Sequence, residues 1–203
     1  MDDADRNTAA VDAFLRVLDP ADDATGGGTA SAVVGALAAG LTGMVARLSA
    51  GRAELEGEED FAAIDAEAQR LTDILFEGGR LDSEAFGAVM QAYRMPKEPE
   101  SAKAERSAEI QRAMLGAAKV PLENAERCAE VFVLASRLEG RSNPNAASDL
   151  ACALDLVHAA ARGCLENVDI NLGSIKDETA RQQLAERAAA VKNAFSERES
   201  QRA

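Results

Sequence analysis

Asp82, in the stretch LDSEAFGAVMQAYR at residues 81–94, is one carboxylate on which acid–base chemistry could rest. A carboxyl held beside a reacting atom can take up and return a proton. At the start of a helix the same residue could instead cap it, accepting backbone N–H bonds worth about 1 kcal/mol. Such bonds depress a carboxyl pKa and suit a base better than an acid. Gly26, Gly27 and Gly28, followed by Thr29, expose backbone N–H groups at the positive end of the helix they open, which is an anion-binding arrangement or simply a flexible entry.

Other polar groups fall at suggestive spacings. Arg94 and Lys97 flank Pro96 and read as solvated charge or as a fork for carboxylates. Asn167 and Asn171, one helical turn apart, interrupt an apolar face and need partners if buried, either in the protein or on a ligand ring with donors and acceptors along its edge. Asp149 shares their stripe but lies roughly 27 Å away along a helix, at its start. His158 is half a turn out of phase with Asp149 and reads as a packing residue.

The bulk composition narrows the function. With 22 basic and 35 acidic residues the formal charge is −13, which disfavours nucleic acid and anionic membranes as partners. Cys128, Cys152 and Cys164 form no CxxC pair, and only one histidine is present, so a zinc site is not expected. The three cysteines read as reduced core thiols of a cytoplasmic protein, and the acidic N-terminus MDDADRNTAA does not resemble a signal peptide.

Helical periodicity accounts for the whole chain. Expected helices cover residues 7–18, 29–48, 57–79, 82–94, 102–119, 121–140, 147–172 and 177–199, with Gly78-Gly79 stopping the third and Pro121 opening the sixth. No strand pattern appears. The expected fold is all-α, a single domain over residues 1–203 built as a bundle of about eight helices.

The uncharged run at residues 24–46, ATGGGTASAVVGALAAGLTGMVA, is long enough to span a membrane, but glycine and alanine dominate it. It also lacks the lysine of a GxxxxGK(S/T) loop and the third glycine of GxGxxG. Val33, Val34, Leu37, Leu41, Met44 and Leu48 make a large-residue face; Ala32, Ala36, Ala39 and Gly43 make a small one. That pattern predicts a buried central helix which neighbours approach closely.

Four blocks together resemble the cyclodeaminase/cyclohydrolase family, which comprises the cyclodeaminase domain of formiminotransferase-cyclodeaminase and stand-alone methenyltetrahydrofolate cyclohydrolases. TGGGTASAVVGALAAGLTGMVARLSAGR at 25–52 is similar to its glycine-rich helix signature, and LDSEAFGAVMQAYRMPK at 81–97 to its D-A-x-A-F block. KVPLENAE at 119–126 matches V-P-L-x-x-A-E, and NPNAASDLACALDLVHAAARGCLENVDINLGSIKDE at 143–178 matches the long asparagine-bearing block. Thr25 stands where the family has proline, Thr29 where it has serine, and GGRL precedes Asp82 where many members carry a second acidic residue.

The resemblance implies an all-helical homodimer acting on the N5/N10 one-carbon bridge of tetrahydrofolate, with Asp82 as catalytic acid–base. Gly26, Gly27, Gly28, Thr29, Arg94, Lys97, Asp149, Asn167 and Asn171 are then candidate substrate contacts. No metal and no cofactor beyond the folate itself is expected. A lone chain favours the cyclohydrolase reaction, methenyl to 10-formyl. The alternatives are the cyclodeaminase reaction, fed by a separate formiminotransferase, and a non-catalytic folate-binding dimer.

Overall fold

A computed structural model describes residues 3–19, 21–22, 25–55, 57 and 59–202. The described residues form six α-helices: α1 Asp3–Val17, α2 Gly27–Ser49, α3 Phe61–Arg94, α4 Glu100–Arg137, α5 Ala147–Leu172 and α6 Glu178–Arg202. Short 3-10 turns at Ala53–Leu55 and Pro144–Ala146 join α2 to α3 and α4 to α5. No strand occurs among the described residues, so the all-α expectation holds, whereas the count of eight does not.

Two expected boundaries are absent, and each has a packing reason. Residues 57–79 and 82–94 merge into α3, because Gly78 and Gly79 are sites of close approach and not a C-cap. A Cβ on Gly78 would overlap the side-chain amide of Asn124 on α4, and buried Asn124 donates its Nδ2 to the Gly78 carbonyl at 3.3 Å. A Cβ on Gly79 would press to 3.4 Å of the Thr29 carbonyl oxygen on α2. Interior glycines weaken a helix by about 1 kcal/mol each, a cost the contacts on both sides outweigh.

Residues 102–119 and 121–140 likewise merge into α4, with Pro121 inside it. Proline there removes the N–H that would bond to the carbonyl four residues earlier, at Ala117. Asn171 of α5 supplies the missing donor, its Nδ2 lying 2.9 Å from the Ala117 oxygen. The helix runs through its proline because a neighbour repairs the gap.

α2, α3, α4 and α5 pack most extensively on one another; α1 lies on α3 and α2, and α6 on α4 and α5. Leu71, Leu75, Leu122, Phe132 and Val157 are almost wholly buried in a shared core. α2 has the length and hydropathy of a membrane span, yet 61% of its most apolar window is buried by the other helices, which makes it an interior helix. Its small face, Ala32, Ala36, Ala39 and Gly43, is buried as expected. Apart from buried Val33, the large face is not: Leu37 and Leu48 are 56% and 49% exposed, and Val34, Leu41 and Met44 are half-buried.

Candidate active site

The corner forms where α2 begins. A turn held by Asp22 leads into it: Asp22 accepts the Thr25 backbone N–H at 3.0 Å and its hydroxyl at 3.3 Å. Asp22 also pairs with Arg16 Nε at 2.5 Å. Gly27, Gly28 and Thr29 then make the first turn of α2.

Asp82 lies against that turn. It is in the middle of α3, where its own helix leaves it no free N–H to cap, so its expected place as a helix N-cap is corrected. Its carboxylate crosses to α2 and accepts the Thr29 hydroxyl at 3.1 Å. A Cβ on Gly28 would lie 2.5 Å from both carboxylate oxygens, so glycine is what lets the acid seat itself on the helix start. Burial pushes the Asp82 carboxyl above its ordinary value, against the Thr29 hydroxyl and backbone N–H, which favour the ionised form. The depressed pKa expected of a cap is thereby reversed.

α5 closes the other side. A Cβ on Gly163 would overlap the Ser31 side chain, and Ser31 in turn donates to the Gly27 carbonyl at 2.6 Å. Asn167, one turn beyond Gly163, comes up beside Gly27, where a Cβ would lie 3.6 Å from its Nδ2. Asn167 Nδ2 donates to the Gly163 carbonyl at 2.8 Å. Ser83 and Gly163 were not singled out from sequence, since serine and glycine inside helices carry no distinctive spacing. Ser83 stands 3.4 Å from the Thr25 hydroxyl oxygen.

The remaining candidates divide. Gly27, Gly28, Thr29 and Asn167 meet at the Asp82 corner, and Gly26 enters it as the α2 N-cap with nothing within 4 Å of an added Cβ. Thr29 is fully buried, with its hydroxyl directed to Asp82. Asn171 donates to Ala117 and to the Asn167 carbonyl, both at 2.9 Å, so its amide serves the helices. Asp149 sits in the first turn of α5, about 27 Å along the helix from Asn167, and is not part of this corner within one subunit. Arg94 closes α3 and Lys97 follows it, both exposed.

Two groups are structural. His158 stacks edge-on against Phe132 and Phe195 at 4.7 and 4.9 Å, as befits a packing residue. The hollow of about 430 Å³ it lines with Arg162, Asp169, Lys192 and Phe195 includes none of the corner residues. Cys128 and Cys164 are buried, but Cys152 is exposed, contrary to its expected place in the core. The neighbouring Cys128 sulfur, then burial, hold the Cys164 thiol well above its ordinary value.

A small, partly desolvated carboxylic acid, pinned by one hydroxyl to a helix start, is equipped to move a proton at a substrate atom placed over the glycines.

Comparison with known proteins identifies the family. Residues 10–190 match the family model described as formiminotransferase-cyclodeaminase. The chain is 35% identical over 168 residues to a methenyltetrahydrofolate cyclohydrolase of Methylorubrum extorquens, covering 82% of this chain and 81% of that protein. It is 29% identical to the formimidoyltransferase-cyclodeaminase of Rattus norvegicus, covering 84% of this chain but only 32% of the longer protein. The crystal structure of a formiminotetrahydrofolate cyclodeaminase from Thermotoga maritima superposes with a TM-score of 0.79 at 30% identity, covering 89% of this chain and 86% of the other. The matches along nearly the whole chain lead to one conclusion: this chain belongs to the formiminotransferase-cyclodeaminase family.

Proposed function

We propose that the protein is a methenyltetrahydrofolate cyclohydrolase that converts 5,10-methenyltetrahydrofolate to 10-formyltetrahydrofolate, with Asp82 as the proton carrier. The observation that carries this reading is the seating of the Asp82 carboxylate on Gly28 and Thr29, partly out of water. The relative that matches over most of both chains supports the direction of the reaction.

The methenyl carbon is part of an amidinium cation and accepts water without strong activation. Asp82 takes one proton as the water oxygen bonds to that carbon. The tetrahedral adduct then collapses: the bond to N5 breaks, Asp82 returns its proton to N5, and the hydroxyl proton passes to solvent as the formyl C=O forms on N10, so cation and water give neutral product and one released proton. The steps balance in protons alone. A carboxyl whose pKa burial raises takes up a proton and returns it more readily than an exposed one.

A second reading is favoured by the Thermotoga maritima structure and the formimidoyltransferase-cyclodeaminase relatives. In the cyclodeaminase direction N10 attacks a 5-formimino carbon, and Asp82 passes the N10 proton to the nitrogen leaving as ammonia; a separate formiminotransferase would supply that substrate. Loss of methenyl absorbance with 5,10-methenyltetrahydrofolate is expected. Ammonia released from 5-formiminotetrahydrofolate, with no methenyl hydrolysis, would replace the first reading by the second, and activity on neither would leave only a folate-binding role.

The reading includes a homodimer in the cytoplasm. Three free cysteines suit a reducing compartment. Val34, Leu37, Leu41, Met44 and Leu48 alternate at steps of three and four along the outside of α2, the spacing of a coiled-coil seam. The seam is uncharged in a chain of net charge −13, so a second copy is repelled less there than over an acidic surface. Asn143 bonds to Leu48 and Ser49 at the end of α2, so the Asp149 end of α5 lies beside it. Antiparallel pairing of two copies of α2 would bring the Asp149 end of one subunit toward the Asp82 corner of the other.

A further inference from the structure

Most arginines and lysines of this acidic chain are tied to carboxylates. Among the described side chains, Arg94, Lys97, Arg106, Arg162 and Lys176 have no such partner. The first three gather at the turn from α3 to α4. Arg106 reaches back from α4, donating from Nη2 and Nε to the Tyr93 carbonyl at 3.1 and 3.4 Å. Its guanidinium carbon lies 5.7 Å from the centre of the Tyr93 ring, which fixes that ring at the edge of the cationic corner.

The corner ends a face of α3 that begins at Asp82. On a helix of 3.6 residues per turn, Phe86 and Tyr93 lie within about 40° of Asp82 and Met90 within about 80°. Phe86, Met90 and Tyr93 are 40%, 38% and 46% exposed, although the chain has only six phenylalanines, one tyrosine and no tryptophan to spend on its surface. Val89 and Ala92, about 20° and 80° from Asp82 in the opposite rotational sense, are buried, so the exposed ridge runs from Asp82 through Phe86 and Met90 to Arg94, about 120° round the helix. From Asp82 to Arg94 the helix rises about 18 Å. Along that length the order is acid, aromatic, thioether, aromatic, cations.

Resting on the folate reading above, we propose that this face of α3 binds the p-aminobenzoyl-glutamate arm of the substrate. The benzoyl ring lies against Phe86 and Tyr93, the glutamate carboxylates reach Arg94 and Lys97, and the one-carbon bridge is left at Asp82. A flat ring gains from uncovered aromatic and sulfur surface. A dianionic tail is drawn to cations free of internal carboxylates and is repelled by the acidic surface elsewhere. Arg106 acts as a positioning residue through the Tyr93 ring.

The test compares a tetrahydrofolate substrate with its glutamate-free tetrahydropteroate counterpart, together with ligand-detected NMR on p-aminobenzoylglutamate alone. In the R94Q/K97Q variant, kcat/KM for the glutamate-bearing substrate should fall about tenfold or more through KM, approaching the unchanged value for the glutamate-free one. F86A should raise KM for both with kcat nearly unchanged. All three side chains are exposed, so the thermal midpoint should hold. The p-aminobenzoylglutamate signal should vanish in R94Q/K97Q and persist in D82N. An R94Q/K97Q variant that keeps the wild-type preference for glutamate overturns the track while leaving the enzyme reading intact. Fragment binding that follows the variants in a protein without turnover supports the track and removes the enzyme reading, so the two failures are distinguishable.

Discussion

Asn171 of α5 donates its side-chain amide to the Ala117 carbonyl of α4, the oxygen that Pro121 leaves without an intrahelical donor. One polar side chain thereby keeps a proline-bearing helix of 38 residues continuous. N171L should destabilise the protein by about 1–3 kcal/mol, the cost of leaving a buried acceptor unmade. P121A restores an N–H to Ala117, so the double variant N171L/P121A should lose clearly less than the two single losses combined. Urea denaturation of the four proteins measures this coupling, and strict additivity would refute the repair.

With Asp82 as the proton carrier, activity and stability should oppose each other at this position. Burial raises the Asp82 pKa in the folded state, so between the unfolded and the raised value the folded protein holds the extra proton. Wild-type stability therefore falls as pH rises through that window. D82N cannot ionise: it should gain about 1 kcal/mol, or about 2–4 °C, at neutral pH. The gain should disappear below the ordinary carboxylate range. Turnover should drop about 10²–10⁴-fold with folate binding retained. Melting scans across pH and single-substrate kinetics check both halves.

Gly28 and Gly26 should behave oppositely. G28A sets a methyl group 2.5 Å from both Asp82 oxygens and must displace the carboxylate, so activity should fall about 10²-fold. G26A meets nothing within 4 Å and should stay close to wild type. Equal losses in steady-state rate would mean that the turn, and not the seat of the acid, is what glycine provides.

Thr29 is buried and gives its hydroxyl to Asp82, which lowers the pKa that burial raises. T29V removes the bond at nearly constant volume. The acidic limb of kcat/KM against pH should move to higher pH in T29V and return toward wild type in T29S. A limb that stays in place would show that the hydroxyl only packs.

The outer seam of α2 should govern assembly. L37E/L41E sets like charges across any pairing of two copies and should convert a dimer to a monomer in sedimentation equilibrium. Helical circular dichroism should persist, because Leu37 is exposed and Leu41 half-buried within the single subunit.

What the sequence determined alone was local. The apolar steps of 3 and 4 mark helix along the chain, although as eight segments and not six, the absence of charge between residues 24 and 46 marks the interior helix, and the family resemblance singles out the glycine run and Asp82. Continuity was not local. Gly78-Gly79 and Pro121 are stop and start signals whenever the neighbours are unknown. Asn124 packed on Gly78, and Asn171 bonded to Ala117, turn the same residues into mid-helix contacts. That is why Asp82 could be read as a cap: its role changed once α3 ran through it and its carboxylate met Gly28 from another helix. Propensity acts within a turn or two and is worth about 1 kcal/mol per residue. Contacts between residues 28 and 82, or 117 and 171, exist only after the helices have packed, and they decide which local signal survives.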